Sequence, residues 1–289
     1  MGMLFVFDRT TGRPVYGMEE RAVPQSVVPG EETSATQPFP VKPPPLAKTS
    51  FRKEDVYTKT PEHGSFCKAL VEEQHLVNGG PFTPFPLEGN AITYPSTLGG
   101  GNWSGVSVDP KLGYVFTNIM NLAQWGHMEK KADPKTGEVT YARTAAFGGN
   151  YARFWDPSNH IPCQEPPFGE LVAVNTSTGD IAWRAPLGIV EELEARGVHN
   201  TGALNLGGSI ATASGLVFIA ATNDNRIRAF ESKTGKELWA GKIDAVGQST
   251  PVTYMGRDGR QYVVIMAGGG SYWGAPAGDA LVAFALPVK

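Results

Sequence analysis

The hairpin pattern A-x-[DNE]-x-x-T-G-x-x-x-W constrains this chain more than any other feature of its sequence. It occurs as Ala229, Glu231, Thr234, Gly235 and Trp239, and again 56 residues earlier as Ala173, Asn175, Thr178, Gly179 and Trp183. A third copy, Asp8, Thr11, Gly12 and Tyr16, carries Tyr in place of Trp and lies 167 residues upstream of the second. Glycine supplies the positive φ of a tight turn, the acidic or amide side chain bonds the turn amides, and the aromatic ring is large enough to fill the wedge between neighbouring sheets. A fixed pattern repeating at blade length predicts a β-propeller rather than a sandwich.

The stretch 206–243 reads as one complete blade. Small residues and turn formers separate four short apolar runs, Ser209–Thr212, Leu216–Ala221, Arg226–Phe230 and Glu237–Lys242, which suits a four-stranded antiparallel meander. Upstream, AITYPS, WSGVSVDP, GYVFTNIM and GELVAVNTSTGDIAWRAPLG give a second blade, interrupted by a loop insertion over 123–167. Downstream, STPVTYM, YVVIMAGGG and ALVAFAL give three strands with no fourth. Residues 17–90 read as an extended insertion with one short helix around Phe66–Leu76. The centre of its first part, QPFPVKPPP, suits neither a core nor a ladder, and Gly17–Ser50 is expected to be a surface arm. A helical turn is expected at Glu191–Gly197.

A net charge of −3 gives no electrostatic case for nucleic acid or an anionic membrane, and no apolar run approaches the roughly 20 residues of a spanning helix. Met1–Asp8 lacks the basic region and cleavage site of a secretory signal, and begins as though in mid-blade. Cys67 and Cys163 form no CxxC pattern. Two buried thiols and a disulfide both remain open, the bridge being favoured in an exported protein. The five histidines show no metal-binding spacing.

The strings LGGSIATASGLVFIAATNDNRIRAFESKTGKELW, GQSTPVTY, GRQYVVIMAGGG and GDALVAFALP resemble the C-terminal half of the membrane-bound quinoprotein dehydrogenases, the pyrroloquinoline-quinone (PQQ) enzymes acting on glucose, quinate, shikimate or polyols. LFVFDRTTG, TQPFP, NWSGVSVDP and PCQEPPFG are similar to the same family, so the resemblance spans essentially the whole chain. It implies an all-β fold: a partial eight-bladed β-propeller, about three four-stranded blades plus one hairpin, running through 1–289 as a single domain with long loop insertions. It further implies PQQ on the propeller axis, a Ca²⁺ or Mg²⁺ ion in the complete enzyme, an alcohol or sugar substrate, ubiquinone as electron acceptor, and a place on the periplasmic face of the inner membrane. The family's general-base Asp and quinone-side Lys would lie upstream of Met1, so no catalytic residue is assigned. The isolated chain, without its N-terminal propeller half, is expected to be inactive and to bind PQQ weakly or not at all.

Asn118 ends the strand GYVFTN where the family places an Asn against the cofactor; an Asn capping a strand end is the plainer alternative. Asp224 and Asn225 match a family Asp-Asn near the cofactor, and could equally form an Asx turn. Gly270 stands where the glucose enzymes carry His, which weighs against glucose, and Trp273 follows as a candidate cover for a planar ligand. Trp183 and Trp239 are expected to dock blades, and Trp103, opening an inner strand, to lie in the core, with lining of the propeller axis as the lesser alternative. A rival reading is a non-catalytic propeller scaffold for protein–protein interaction of the kind used in outer-membrane protein assembly. Another is a truncated product, or half of a split enzyme, without independent function. Unpaired strand edges lead to an expectation of self-association.

Overall fold

A computed structural model describes residues 1–144, 152–270 and 274–287. In chain order, the first part carries β1 (Met18–Ala22), β2 (Thr36–Pro40), α1 (Pro61–Glu73), β3 (Leu76–Val77), β4 (Asn90–Thr93), β5 (Ser107–Asp109), β6 (Tyr114–Met120), β7 (Gln124–Ala132), β8 (Val139–Thr144) and β9 (Ala152–Arg153). The second carries β10 (Gly169–Asn175), β11 (Ile181–Pro186), α2 (Glu191–Ala195), β12 (Ser209–Ala211), β13 (Leu216–Ile219), β14 (Arg226–Glu231), β15 (Glu237–Lys242), β16 (Val252–Met255), β17 (Gln261–Gly269) and β18 (Ala277–Ala285). The contacts divide the chain into two compact units, one of residues 1–100 with 121–165, the other of 101–120 with 166–289.

The second unit holds the blades. Two four-stranded antiparallel sheets run in the orders β5-β6-β10-β11 and β12-β13-β14-β15, and a third, β16-β17-β18, stops at three strands. Both four-stranded sheets carry a register shift at the same point of the repeat, just after Ala173 opposite Trp183 and Ala229 opposite Trp239. Such a bulge tightens the local twist, and the small Ala leaves room beside the indole. Trp183 then reaches the next blade: its Nε1 donates to the Ser232 carbonyl at 3.0 Å, and its ring lies against Gly235, whose φ of +72° belongs to the turn. Any side chain at Gly235 would collide with that ring. Trp239 also meets the next blade, edge-on to Phe284 of β18 with ring centroids 5.1 Å apart. The wedges are filled by Phe116, Leu171, Val217, Ile219 and Phe230 in one case, and by Ile227, Ile243, Val263 and Ile265 in the other.

The first unit departs from the sequence expectation in three places. Gly17–Ser50 is no bare arm, because β1 and β2 pair from Met18 opposite Pro40 to Ala22 opposite Thr36, and Phe39, Leu46 and Ala47 are buried. A two-stranded ribbon has two edges, so Pro38 and Pro40 can sit where no ladder N–H is required. The 123–167 insertion carries strands of its own: β7 and β8 form a hairpin, and β4, which the sequence placed in a propeller blade, joins β3 and β7 instead. The β7–β8 turn is a fourth copy of the motif, Asp133, Thr136, Gly137 and Tyr141. Asp133 Oδ1 accepts the N–H groups of Thr136 at 2.9 Å and Lys135 at 2.7 Å, bonds that hold its pKa below the usual carboxylate value. The hairpin at Asp8 has the same turn, with Thr10 and Thr11 N–H on Asp8 Oδ1, but its flanks pair only through Phe7 and Pro14.

Helix α1 starts at Pro61, five residues before the expected Phe66, since Pro at the first helical position is preset for helix geometry. Its buried residues are His63, Gly64, Cys67, Leu70 and Val71. Cys67 is disulfide-bonded to Cys163, closing a separation of 96 residues beneath a core of Phe51, Ile92, Trp125 and Phe154. The open choice between thiols and bridge is thereby resolved in favour of the bridge.

Candidate functional site

In the second unit, each blade's inner strand is entered through a short loop: Trp103–Ser104 before β5, Gly207–Gly208 before β12, and Gln248–Thr250 before β16. These three loops meet. A Cβ at Gly208 would lie 2.5 Å from Ser104 Cβ and 2.9 Å from Thr250 Oγ1, and one at Gly207 would lie 2.6 Å from the Gln248 carbonyl oxygen, so only glycine permits the approach. Just inside, the hydroxyls of Ser107 on β5 and Ser209 on β12 are 2.6 Å apart. The loops and the end of β17 border an open cleft of about 530 Å³, lined by Trp103, Ser104, Val246, Gln248, Ser249, Thr250, Met266, Gly268 and Gly269. Trp103 is 73% exposed, not in the core as expected, because β5 begins only at Ser107 and the indole belongs to the entry loop.

The ends of the second strands deliver the other candidates. Asn118 on β6 is buried, and its Nδ2 donates to Asn205 Oδ1 at 2.8 Å. Asn205 Nδ2 in turn donates to the carbonyls of Ile119 and Ala203, and Asn205 forms an isolated antiparallel bridge with Thr222. Thr222 Oγ1 donates to Asp224 Oδ1 at 2.6 Å. The Asp224 side chain is 1% exposed, and its other oxygen accepts the Ile189 N–H at 3.0 Å and a guanidinium nitrogen of Arg228. One buried network therefore joins Asn118 to Asp224 through Asn205 and Thr222, and continues to Arg228, which is itself 2% exposed.

Asn225 adopts a left-handed φ of +54°, and its Oδ1 is buried without a partner among the described residues. Gly270, at φ +52°, follows the cleft-lining Gly268–Gly269, donates its N–H to the Pro276 carbonyl, and has open space where a Cβ would stand. Trp273 lies outside the described residues. Of the four described candidates, Asn118 and Asp224 share the network, Asn225 follows Asp224 in the chain, and Gly270 follows the cleft-lining Gly268–Gly269. Sequence reasoning missed Asn205, Thr222, Arg228 and Gln248. Arg228 had a visible signal, a charge set inward in RIRAF on a strand whose other inward positions are apolar.

Among the described residues the one group of His, Cys, Asp or Glu close enough to hold an ion is His63, Cys67 and Cys163, and the disulfide occupies both sulfurs. No described carboxylate cluster suits Ca²⁺ or Mg²⁺, and no step is assigned to such an ion here.

Three successive sheets, docked one on the next through Trp183 and Trp239, define a sector of a β-propeller. The PQQ family of glucose/ethanol/alcohol dehydrogenase β-propeller domains matches residues 1–263. Quinate/shikimate dehydrogenase (quinone) of Acinetobacter baylyi is 34% identical over 99% of this chain and 37% of its own length. The glycerol dehydrogenase large subunit of Gluconobacter thailandicus is 34% identical over 99% and 42%, and quinoprotein glucose dehydrogenase of Escherichia coli 32% over 99% and 37%. Among solved structures, quinohemoprotein alcohol dehydrogenase of Comamonas testosteroni aligns with 98% of the chain and 34% of its own, at a TM-score of 0.53 and 22% identity, which supports the fold. The chain belongs to the PQQ-dependent dehydrogenase β-propeller family, and it spans about two fifths of the length of these curated relatives.

Proposed function

We propose that this chain supplies one wall of the PQQ and alcohol site of a dehydrogenase that oxidises a sugar, polyol or cyclic hydroxy acid and passes the electrons to a quinone. The observation that carries this reading is the convergence of the three entry loops on one cleft, in blades whose second strands carry or lead to Asn118, Asp224, Asn225 and Gly270. Two features fit a planar, polar heterocycle. Asn225 Oδ1 is a buried acceptor awaiting a donor, and Gly270 leaves backbone open for close approach. Bound PQQ supplies a quinone that accepts hydride from the alcohol carbon.

The chain's own residues hold the wall in place. Asp224 is saturated by Thr222, Ile189 and Arg228, so it is a positioning residue: it fixes Thr222, hence the backbone bridge to Asn205, hence the Asn118 amide. That amide orients a partner without adding charge. No described side chain here serves as general base toward the alcohol, and the three blades do not enclose a ligand, so the chain alone is inactive and binds PQQ weakly. The Cys67–Cys163 bridge supports an oxidising compartment such as the periplasm. No helix among the described residues is long and apolar enough to cross a membrane.

The test is a PQQ titration of the purified 289-residue chain, followed by absorbance and alcohol-dependent dye reduction. Weak saturable binding without turnover is expected. Asn225→Gly, which keeps the left-handed backbone and removes only the amide, is expected to weaken binding severalfold at unchanged melting temperature. Binding by Asn225→Gly as tight as the parent's would overturn the wall assignment, and turnover by the chain alone would overturn its reading as inactive.

A further inference from the structure

We propose that His63, Cys67 and Cys163 form a zinc site that the disulfide keeps latent. When a dithiol reductant opens the bridge, the two thiolates and the His63 imidazole take up one Zn²⁺ ion. The metal then replaces the bridge as the staple between α1 and the segment that carries Cys163. All of these residues belong to the first unit, so the site is independent of the cofactor reading.

The ligand atoms are already gathered. One ring nitrogen of His63 and the sulfurs of Cys67 and Cys163 lie within 4.8 Å of one another, and all three residues are buried. His63 and Cys67 stand four positions apart on α1, so both side chains leave the same face of the helix. Cys67 Sγ is 3.5 Å from His63 Nε2. Zinc–sulfur and zinc–nitrogen bonds of about 2.3 and 2.0–2.1 Å, held at a tetrahedral angle, set their ligand atoms about 3.5 Å apart. One edge of a coordination tetrahedron is therefore already built.

The His63 ring supplies a second, independent observation. Its Nε2 lies 3.1 Å from the Pro162 carbonyl, and because a carbonyl only accepts, this contact puts the ring proton on Nε2. Nδ1 is then a buried acceptor with no hydrogen-bond partner among the described residues, and it faces another acceptor, Asp156 Oδ2, at 3.8 Å. A metal on Nε2 reverses this arrangement. The proton passes to Nδ1 and points at Asp156, giving the carboxylate–histidine–metal triad that orients a histidine ligand and raises its basicity. The Pro162 oxygen, relieved of its N–H, stands beside the same nitrogen as a fourth donor.

Charge and anchoring fit the exchange. Two thiolates and Zn²⁺ sum to zero, so the loaded site adds no net charge to a core of Phe51, Ile92, Trp125 and Phe154. Cys67 is held by its helix, and the Cys163 backbone donates to the Phe154 carbonyl at 2.9 Å and accepts the Tyr57 N–H at 2.8 Å, so neither end depends on the bridge for its place. The dithiol gives two electrons and two protons to the disulfide and leaves as its own disulfide; zinc then displaces the two thiol protons to solvent. Zinc favours thiolate with imidazole and has no redox chemistry of its own, which makes it the metal that this donor set selects.

The experiment reduces the 289-residue chain with tris(2-carboxyethyl)phosphine in non-denaturing buffer and titrates it with Zn²⁺ against a chromogenic chelator. Co²⁺ serves as a spectroscopic probe of the same site. One equivalent is expected to bind, with the ligand-field bands of tetrahedral Co²⁺ and a thiolate charge-transfer band, while the unreduced chain takes up none. Asp156→Asn, on a side chain 16% exposed, is expected to weaken zinc affinity about tenfold, and His63→Ala to weaken it further. Hydrogen exchange of the 61–73 amides needs no variant: zinc is expected to raise their protection in the reduced chain. A reduced chain that binds no zinc, or that binds it equally well in both variants, would overturn the site. Uptake by the unreduced chain at the same affinity would overturn the control by the disulfide, and zinc binding that leaves the protection unchanged would overturn the staple.

Discussion

Asp224 and Arg228 offer the sharpest separation between holding a fold together and touching a ligand. Replacing Asp224 by Ala leaves the Arg228 guanidinium, on a residue 2% exposed, without its main partner, and strips acceptors from the Thr222 hydroxyl and the Ile189 N–H. Removing one member of a buried ion pair costs about 3–5 kcal/mol. Arg228 Nε keeps a bond to Glu237 at 3.2 Å, but that carboxylate's side chain is 44% exposed and compensates only in part, so the lower end, about 3 kcal/mol, is expected. At roughly 2–4 °C per kcal/mol for a domain of this size, the melting temperature falls by about 6–12 °C. Differential scanning calorimetry of Asp224→Ala measures the fall, and the double variant Asp224→Ala with Arg228→Met is expected to recover much of it, because the stranded charge is gone. A single variant melting within about 2 °C of the parent would refute the positioning role. Loss of PQQ binding at an unchanged melting temperature would make Asp224 a direct ligand instead.

Two further outcomes concern the first unit. Closing a loop of this length removes unfolded-chain entropy worth up to about 4.7 kcal/mol, so Cys67→Ser with Cys163→Ser should lower the stability of α1 and its core by up to that amount, read by hydrogen exchange of the 61–73 amides. Protection equal to the parent's would mean that packing alone sets the stability of this helix. Tyr94 is buried with no hydroxyl partner among the described residues, and desolvation, reinforced by the nearby Asp55 charge, pushes its pKa well above 10.0. The folded state therefore holds the phenol proton more tightly than the unfolded chain does. Its contribution to stability is intact below pH 10 and is lost as pH rises from there towards the folded pKa. Tyr94→Phe is expected to be neutral or stabilising at pH 7 and to flatten the alkaline limb of a pH-dependent denaturation series, and an unchanged limb would show that another group governs it.

The blades were legible because one local pattern encodes both the turn and the docking residue: Gly235 makes the hairpin, and Trp239, four positions on, makes the wedge. The first unit was harder to read. Its Asp133-to-Gly137 turn carries the same code, with Tyr141 at the aromatic position, but it lacks the preceding Ala and sits amid charges that mimic a solvated loop. The β1–β2 ribbon hid behind prolines that an edge tolerates. For the site, strand ends pointed to Asn118 and Asp224. Asn205 and Thr222 were invisible because their importance arises from a bridge between residues 17 positions apart. Trp103 misled because an aromatic opening a strand motif reads as core unless the strand's true start is known.

The account stands on adjacent inner strands converging at one mouth, and a cross-link measures that directly. Ser107 and Ser209 lie on the inner strands of consecutive blades with their hydroxyls 2.6 Å apart. In the Ser107→Cys, Ser209→Cys variant, mild oxidation is expected to form an intramolecular disulfide, seen as the loss of two hydrogens by intact mass and of both titratable thiols, with the chain running as a monomer on a non-reducing gel. Two thiols that stay free in the folded, oxidised protein would contradict the convergence, and with it the wall that the chain is proposed to supply.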